Sequence, residues 1–145
     1  MMSTHRPRNG RKAFTLIELL VVITILAVLA AMILPRLIDR AEQAKQAKAL
    51  SDLSTLGRLL ETFRLDCGRY PSTDEGLEAL RTAPADVQNW QGPYTQKPIP
   101  NDPWGAPYDY EWPGSGGQNT YILKSLGSDG QTGGEGYAED LVESE

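Results

Sequence analysis

The sequence predicts an α+β fold. One long amino-terminal α-helix, membrane-spanning over its first half, packs its second half on a small carboxy-terminal antiparallel β-sheet. Three observations carry the prediction. Residues 14–34 read FTLIELLVVITILAVLAAMIL, apolar except for Thr15, Glu18 and Thr24. Apolar side chains then recur in steps of three and four from Leu37 to Phe63, the period of a helix. After Gly68 the texture changes to turn residues, aromatics and short β-rich runs.

The elements follow in order. Residues 1–13 form a basic leader holding Arg6, Arg8, Arg11 and Lys12 and no acid. The 21 residues of 14–34 would make a helix of roughly 30 Å, the thickness of a bilayer core. The basic flank places the leader in the cytoplasm and residues 35–145 on the far side of the membrane. A cleaved secretory signal fits poorly, because the small residue Ala13 precedes the apolar stretch and no A-x-A pattern follows residue 34. A plain single-pass anchor would explain the orientation but not Glu18, since an ionisable group in lipid costs free energy and marks a function with a partner to be found.

Beyond the membrane, Leu37, Ala41, Ala44, Ala47, Leu50, Leu53, Leu56, Leu60 and Phe63 form the expected apolar stripe, with charges on the other faces. A helix over about 15–65 would reach some 75 Å, with Pro35 expected to kink or locally unwind it. Asp66-Cys67-Gly68 supplies the stop, Gly68 being suited to the left-handed residue after the last turn. A short helix is expected over 74–82, capped by Ser72 or Thr73 with Asp74 and Glu75 in its first turn. Residues 84–117, dense in proline and holding Trp90, Tyr94, Trp104, Tyr108, Tyr110 and Trp112, read as extended, turn-rich chain. Tyr108–Glu111 and Asn119–Ser125 read as strands. Asn101-Asp102-Pro103-Trp104-Gly105 is turn chemistry whose aromatics suit packing on the helix or, as the sharper alternative, an aromatic sugar platform.

Composition excludes several classes. Residues 14–145 carry ten basic and nineteen acidic side chains, a net charge of −9, which disfavours nucleic acid as a partner. Cys67 is the sole cysteine, so no intrachain disulfide can form, and a lone thiol is usually a small buried hydrophobe. The sole histidine, His5, lies in the leader, and no phosphate loop, zinc spacing or dinucleotide fingerprint occurs. No enzymatic reading gains support.

Ala13-Phe14-Thr15-Leu16-Ile17-Glu18 resembles the class III, or type IV prepilin, signal. The resemblance implies a prepilin peptidase that cuts between Ala13 and Phe14 and N-methylates Phe14. Ala13 departs from the glycine usual before the cut, and Pro35 stands where the family commonly has proline. A freed amine at Phe14 would lie one helical step of four from Glu18. Such an amine suits a carboxylate in lipid, within one chain or between neighbours, and between neighbours it would set the assembly register.

Two further segments resemble the major pseudopilin family of type II secretion systems. They are Tyr70-Pro71-Ser72-Thr73-Asp74-Glu75-Gly76-Leu77 and Asp102-Pro103-Trp104-Gly105, at matching distances from the signal. Many true pilins carry a carboxy-terminal disulfide loop that one cysteine cannot make; a type IV or minor pilin for adhesion, motility or DNA uptake is the competing assignment. A membrane-anchored, calcium-dependent binding module that never polymerises is the competitor from another class. The resemblance implies a homo-oligomeric helical fibre, the pseudopilus, that drives folded proteins across the outer membrane. It implies minor pseudopilins, an inner-membrane secretion platform and the prepilin peptidase as partners. It places a single-pass protein in the Gram-negative inner membrane, with residues 14–34 as assembly helix and 35–145 as periplasmic domain.

By composition, the glycine-rich acidic stretch 125–140 suits either a solvated loop or a hard cation held by oxygens, and the EF-hand spacing is absent. The family resemblance implies structural Ca²⁺ there. Its ligands would be the Leu126 and Ser128 carbonyls and the side chains of Asp129, Glu139 and Asp140. Glu139 departs from the family's usual aspartate, with Glu135 a reserve.

Overall fold

The computed structural model describes residues 14–144. Helix α1 runs from Leu16 to Cys67, 52 residues. It passes through Pro35 without the expected unwinding: a proline inside a helix forgoes its own bond to the carbonyl four residues back, and the turns on either side remain α-helical. The chain divides into two compact units, with the boundary between Asp39 and Arg40 inside α1.

In the first unit, the large apolar side chains of Leu16 through Ile33 are all between 47% and 83% exposed. Among the described residues, exposure on every face leaves the large apolar side chains of this stretch open. Its length and composition suffice to cross a membrane.

The second unit is built on the carboxy-terminal part of α1. Ala49, Leu53, Leu56, Leu60 and Phe63 are buried, spaced four, three, four and three apart, which keeps them on one face. Leu50, expected in the stripe, is 49% exposed, and Ala41, Ala44 and Ala47 are exposed as well. The inward face instead continues upward through Gln46 and Glu42, both partly covered. The stripe was thus displaced because its upper positions are polar and hydrogen-bonded. α1 ends as expected: Gly68 takes φ +77, and its N–H donates to the Arg64 carbonyl at 2.8 Å.

The next segment differs from the sequence expectation. Ser72 and Glu75 do form a reciprocal cap, Ser72 N–H to Glu75 Oε2 at 2.7 Å and Glu75 N–H to Ser72 Oγ at 3.2 Å. Yet Gly76, at φ +58, turns the chain away, and only a four-residue 3-10 helix follows, Leu77–Leu80. A residue at positive φ cannot continue a right-handed helix, so the helix expected over 74–82 is cut short. The Arg69 guanidinium grips Glu75 in bidentate fashion at 2.6 and 2.7 Å.

The sheet has three antiparallel strands in the order β1 (Asp109–Glu111), β2 (Ile122–Ser125), β3 (Leu141–Ser144). Tyr110 pairs with Leu123, and Ser125 with Leu141. Both predicted strands exist but are shorter. Asn119 and Thr120 belong to a turn in which Thr120 N–H donates to the Gly117 carbonyl at 3.0 Å. Strand β3 was not foreseen. Tyr110, Tyr121 and Leu123 join the core of Leu53, Leu56, Leu60, Phe63 and Tyr70, with the Tyr70 and Tyr121 rings meeting edge-on at 4.9 Å. Gly57 makes room on α1, because a Cβ there would lie 2.8 Å from the Tyr121 hydroxyl.

Candidate functional site

Two regions carry the candidate chemistry. At the amino terminus Thr15 precedes the first helical residue, and its N–H and hydroxyl both donate to Glu18 Oε2 at 2.9 Å. Glu18 N–H returns a bond to Thr15 Oγ1 at 3.3 Å. This is a capping box: threonine before the helix and glutamate three residues on satisfy each other's backbone donors. The Thr15-x-x-Glu18 spacing announces it in the sequence, where the carboxylate was matched only to an amine. Phe14 lies just outside the helix and is 82% exposed. Ala13 lies outside the described residues.

The second region is the loop joining β2 to β3, residues 126–140. Its two ends touch. A Cβ on Gly127, at φ +65, would come within 2.9 Å of the Ala138 carbonyl carbon and the Glu139 oxygen, so only glycine lets these backbones approach so closely. Ser128 N–H donates to the Tyr137 carbonyl at 2.9 Å. The loop therefore brings the Leu126–Asp129 segment beside Glu139 and Asp140. Asp129 Oδ1 accepts the Gln131 N–H at 3.0 Å, and Glu139 is exposed. Among the described residues Asp140 Oδ1 is buried with no hydrogen-bond partner, an acceptor in want of a donor or cation. Among the described residues, no three acidic, histidine or cysteine side chains converge closely enough to hold a metal by themselves. Any cation here would lean on backbone carbonyls, which suits the hard, oxygen-seeking Ca²⁺.

The loop is braced from two sides. Asp102, 4% exposed, accepts the Trp104 and Ala106 N–H groups at 3.1 and 2.8 Å and the Ser125 hydroxyl at 2.6 Å. From α1, the Gln46 amide donates to the Gly136 carbonyl at 3.0 Å. One turn earlier Glu42 accepts the Trp104 indole N–H at 2.8 Å. Sequence reasoning saw only turn chemistry at Asp102, and nothing linear signals that its partner is Ser125.

A family model described as "Type II secretion system (T2SS), protein G" matches residues 36–144, and one described as "Prokaryotic N-terminal methylation motif" matches residues 8–34. The chain belongs to the type II secretion system protein G family. Relatives named type II secretion system core protein G include one from Vibrio cholerae, 43% identical over 88% of this chain and 88% of its own length. Another, from Pseudomonas aeruginosa, is 41% identical over 92% of this chain and 95% of its own. The crystal structure of the major pseudopilin from the type 2 secretion system of enterohaemorrhagic Escherichia coli superimposes with a TM-score of 0.60. It shares 32% identity and covers 74% of this chain and 93% of that one.

Within this protein G frame the remaining candidates resolve as packing. Trp104 is partly buried and its indole N–H bonds Glu42, so it packs its turn against α1. Cys67 lies 3.8 Å from the Tyr94 hydroxyl. Burial pushes its thiol above the usual range, which disfavours the thiolate form. Tyr94 in turn donates to Asp66 at 2.9 Å, tying the end of α1 to the extended segment.

Proposed function

We propose that this protein is the subunit that polymerises into the periplasmic pseudopilus of a type II secretion system and drives folded proteins across the outer membrane. It acts by assembly and not as an enzyme. The observation that supports this most is the pairing of a wholly exposed apolar helix, interrupted by Glu18, with a small folded domain matching protein G over 36–144. Lipid covers such a helix before assembly, and copies of the same helix cover it afterwards. A prepilin peptidase would remove residues 1–13 and methylate Phe14. The protein would wait in the inner membrane with its leader cytoplasmic and residues 35–145 periplasmic, and then join minor pseudopilins and the secretion platform.

In this reading Glu18 changes partners. In the single chain its carboxylate caps its own helix through Thr15; in the fibre it would meet the Phe14 amine and set the register. Glu18→Ala is expected to abolish fibre assembly and secretion while leaving the protein in the membrane, as read by shearing assays and exoprotein release. Unimpaired secretion would sink the register role. Sequencing of the mature amino terminus should begin at Phe14, and a start beyond residue 34 would overturn the processing.

The loop between β2 and β3 would take Ca²⁺ through the Leu126 and Ser128 carbonyls and the side chains of Asp129, Glu139 and Asp140. The buried, unpartnered Asp140 Oδ1 supports this assignment. The ion would supply charge neutralisation and cross-linking to a loop that has neither an apolar core nor a disulfide.

A further inference from the structure

Asp102 is a carboxylate buried to 4% exposure, and among the described residues no cation pairs with it. Buried charges are ordinarily paired or bound to a metal, because desolvation is costly. Asp102 meets that cost with three hydrogen bonds. Two come from backbone N–H groups of its own turn, Trp104 and Ala106, and both go to Oδ1. Oδ2 is reserved for the Ser125 hydroxyl, at 2.6 Å, across 23 residues of sequence. A bond to an ionised acceptor is shorter and about twice as strong as a neutral one.

Ser125 occupies a particular place. It is fully buried, it is the last residue of β2, and it pairs with Leu141, the first residue of β3. The Ser125–Leu141 pair is therefore the base of the 126–140 loop, with Leu126 next on one side and Asp140 next on the other. The turn that supplies Asp102 is itself anchored to α1 by Trp104 and Glu42. A chain of bonds thus runs from the helix through Trp104, Asp102 and Ser125 to the first oxygen donor of the loop.

We propose that Asp102 is a positioning residue for the loop's cation: by holding Ser125 it fixes where the Leu126 carbonyl and Asp140 stand. This rests on the calcium reading given above. Groups that orient metal ligands from behind matter nearly as much as the ligands, and their loss typically weakens affinity by about 10–100-fold. Ser125→Ala removes the hydroxyl while keeping the strand. Asp102→Asn keeps an acceptor for both backbone N–H groups but deprives Ser125 of its charged partner.

The test titrates Ca²⁺ into the full-length chain in detergent micelles by calorimetry, with circular dichroism confirming the fold. Each variant is expected to weaken Ca²⁺ binding by about 10-fold or more. The double variant should be no weaker than the worse single one, because both act on one bond. Ser125→Thr, which returns the hydroxyl, should restore most of the affinity; a role in packing alone would predict the opposite, since the added methyl crowds a buried site. If both single variants stay folded and bind within about twofold of the parent, the positioning role is wrong while the calcium site stands. Should Ser125→Ala not fold, the near-isosteric Asp102→Asn decides by the same threshold. If the parent chain takes up no Ca²⁺ at all, the calcium reading fails and this role fails with it.

Discussion

Glu75 accepts two bonds from Arg69 and one from the Ser72 backbone, so one carboxylate ties the end of α1 to the turn before Leu77. The Arg69 guanidinium, and the Ser72 N–H after it, hold the Glu75 carboxyl below the usual carboxylate range. A carboxyl whose folded pKa is lowered stabilises fully above its unfolded value, about 4.3, and loses that contribution as acid protonates the folded form. Glu75→Gln is therefore expected to cost about 1–2 kcal/mol at neutral pH. The difference from the parent should shrink as pH falls below about 4.3. Urea unfolding from pH 7 to pH 3 measures it, and a constant difference would refute the assignment. A cap here was legible only as a choice between Ser72 and Thr73, and the fold picks Ser72 by pairing it with Glu75. The Asp102–Ser125 bond was not, since its partners meet only after two strands and a turn have formed.

At the level of elements, α1 shows where periodicity stops being informative. Leu50 and Leu53 satisfy a three-step and Ala49 and Leu53 a four-step, and both are helical. Only packing chooses, and it buries Ala49 and leaves Leu50 half exposed. Leu53→Ala and Leu60→Ala, both at fully buried positions, should each cost about 2–5 kcal/mol. Leu50→Ala should cost under about 1 kcal/mol in the monomer; denaturant midpoints compare the three. A cost at Leu50 equal to that at Leu53 would contradict the observed face. The stop at Gly68 and the strands around Tyr110 and Leu123 were legible from turn residues and alternation. Strand β3 was not, because Leu141-Val142-Glu143-Ser144 is short, half acidic or polar, and gains its identity only by pairing with β2. Gly76 likewise looked like part of a helix until its positive φ ended one.

For the whole molecule, the sole cysteine allows no intrachain disulfide, and the 126–140 loop lies outside the core cluster, apart from Leu141 at its edge. With Ca²⁺ at 100 times its dissociation constant the folded state would gain about 2.7 kcal/mol, which for a domain of this size is roughly 10–20 °C. Thermal melts of the full-length chain with Ca²⁺ and with excess chelator should differ by that order. Identical melting temperatures would remove the ion from the account.

The inward face of α1 changes character along its length. From Leu53 to Phe63 it is apolar and buried, whereas at Glu42 and Gln46 it holds the domain by two hydrogen bonds, to Trp104 and to the Gly136 carbonyl. Water competes for hydrogen bonds but not for buried leucines, so this end of the face is the less strongly held of the two. Amide hydrogen–deuterium exchange should accordingly run as a gradient, quick near residues 42–46 and slowest near 53–63. The helix would then enter a fibre held most firmly at residues 53–63 and less firmly at residues 42–46.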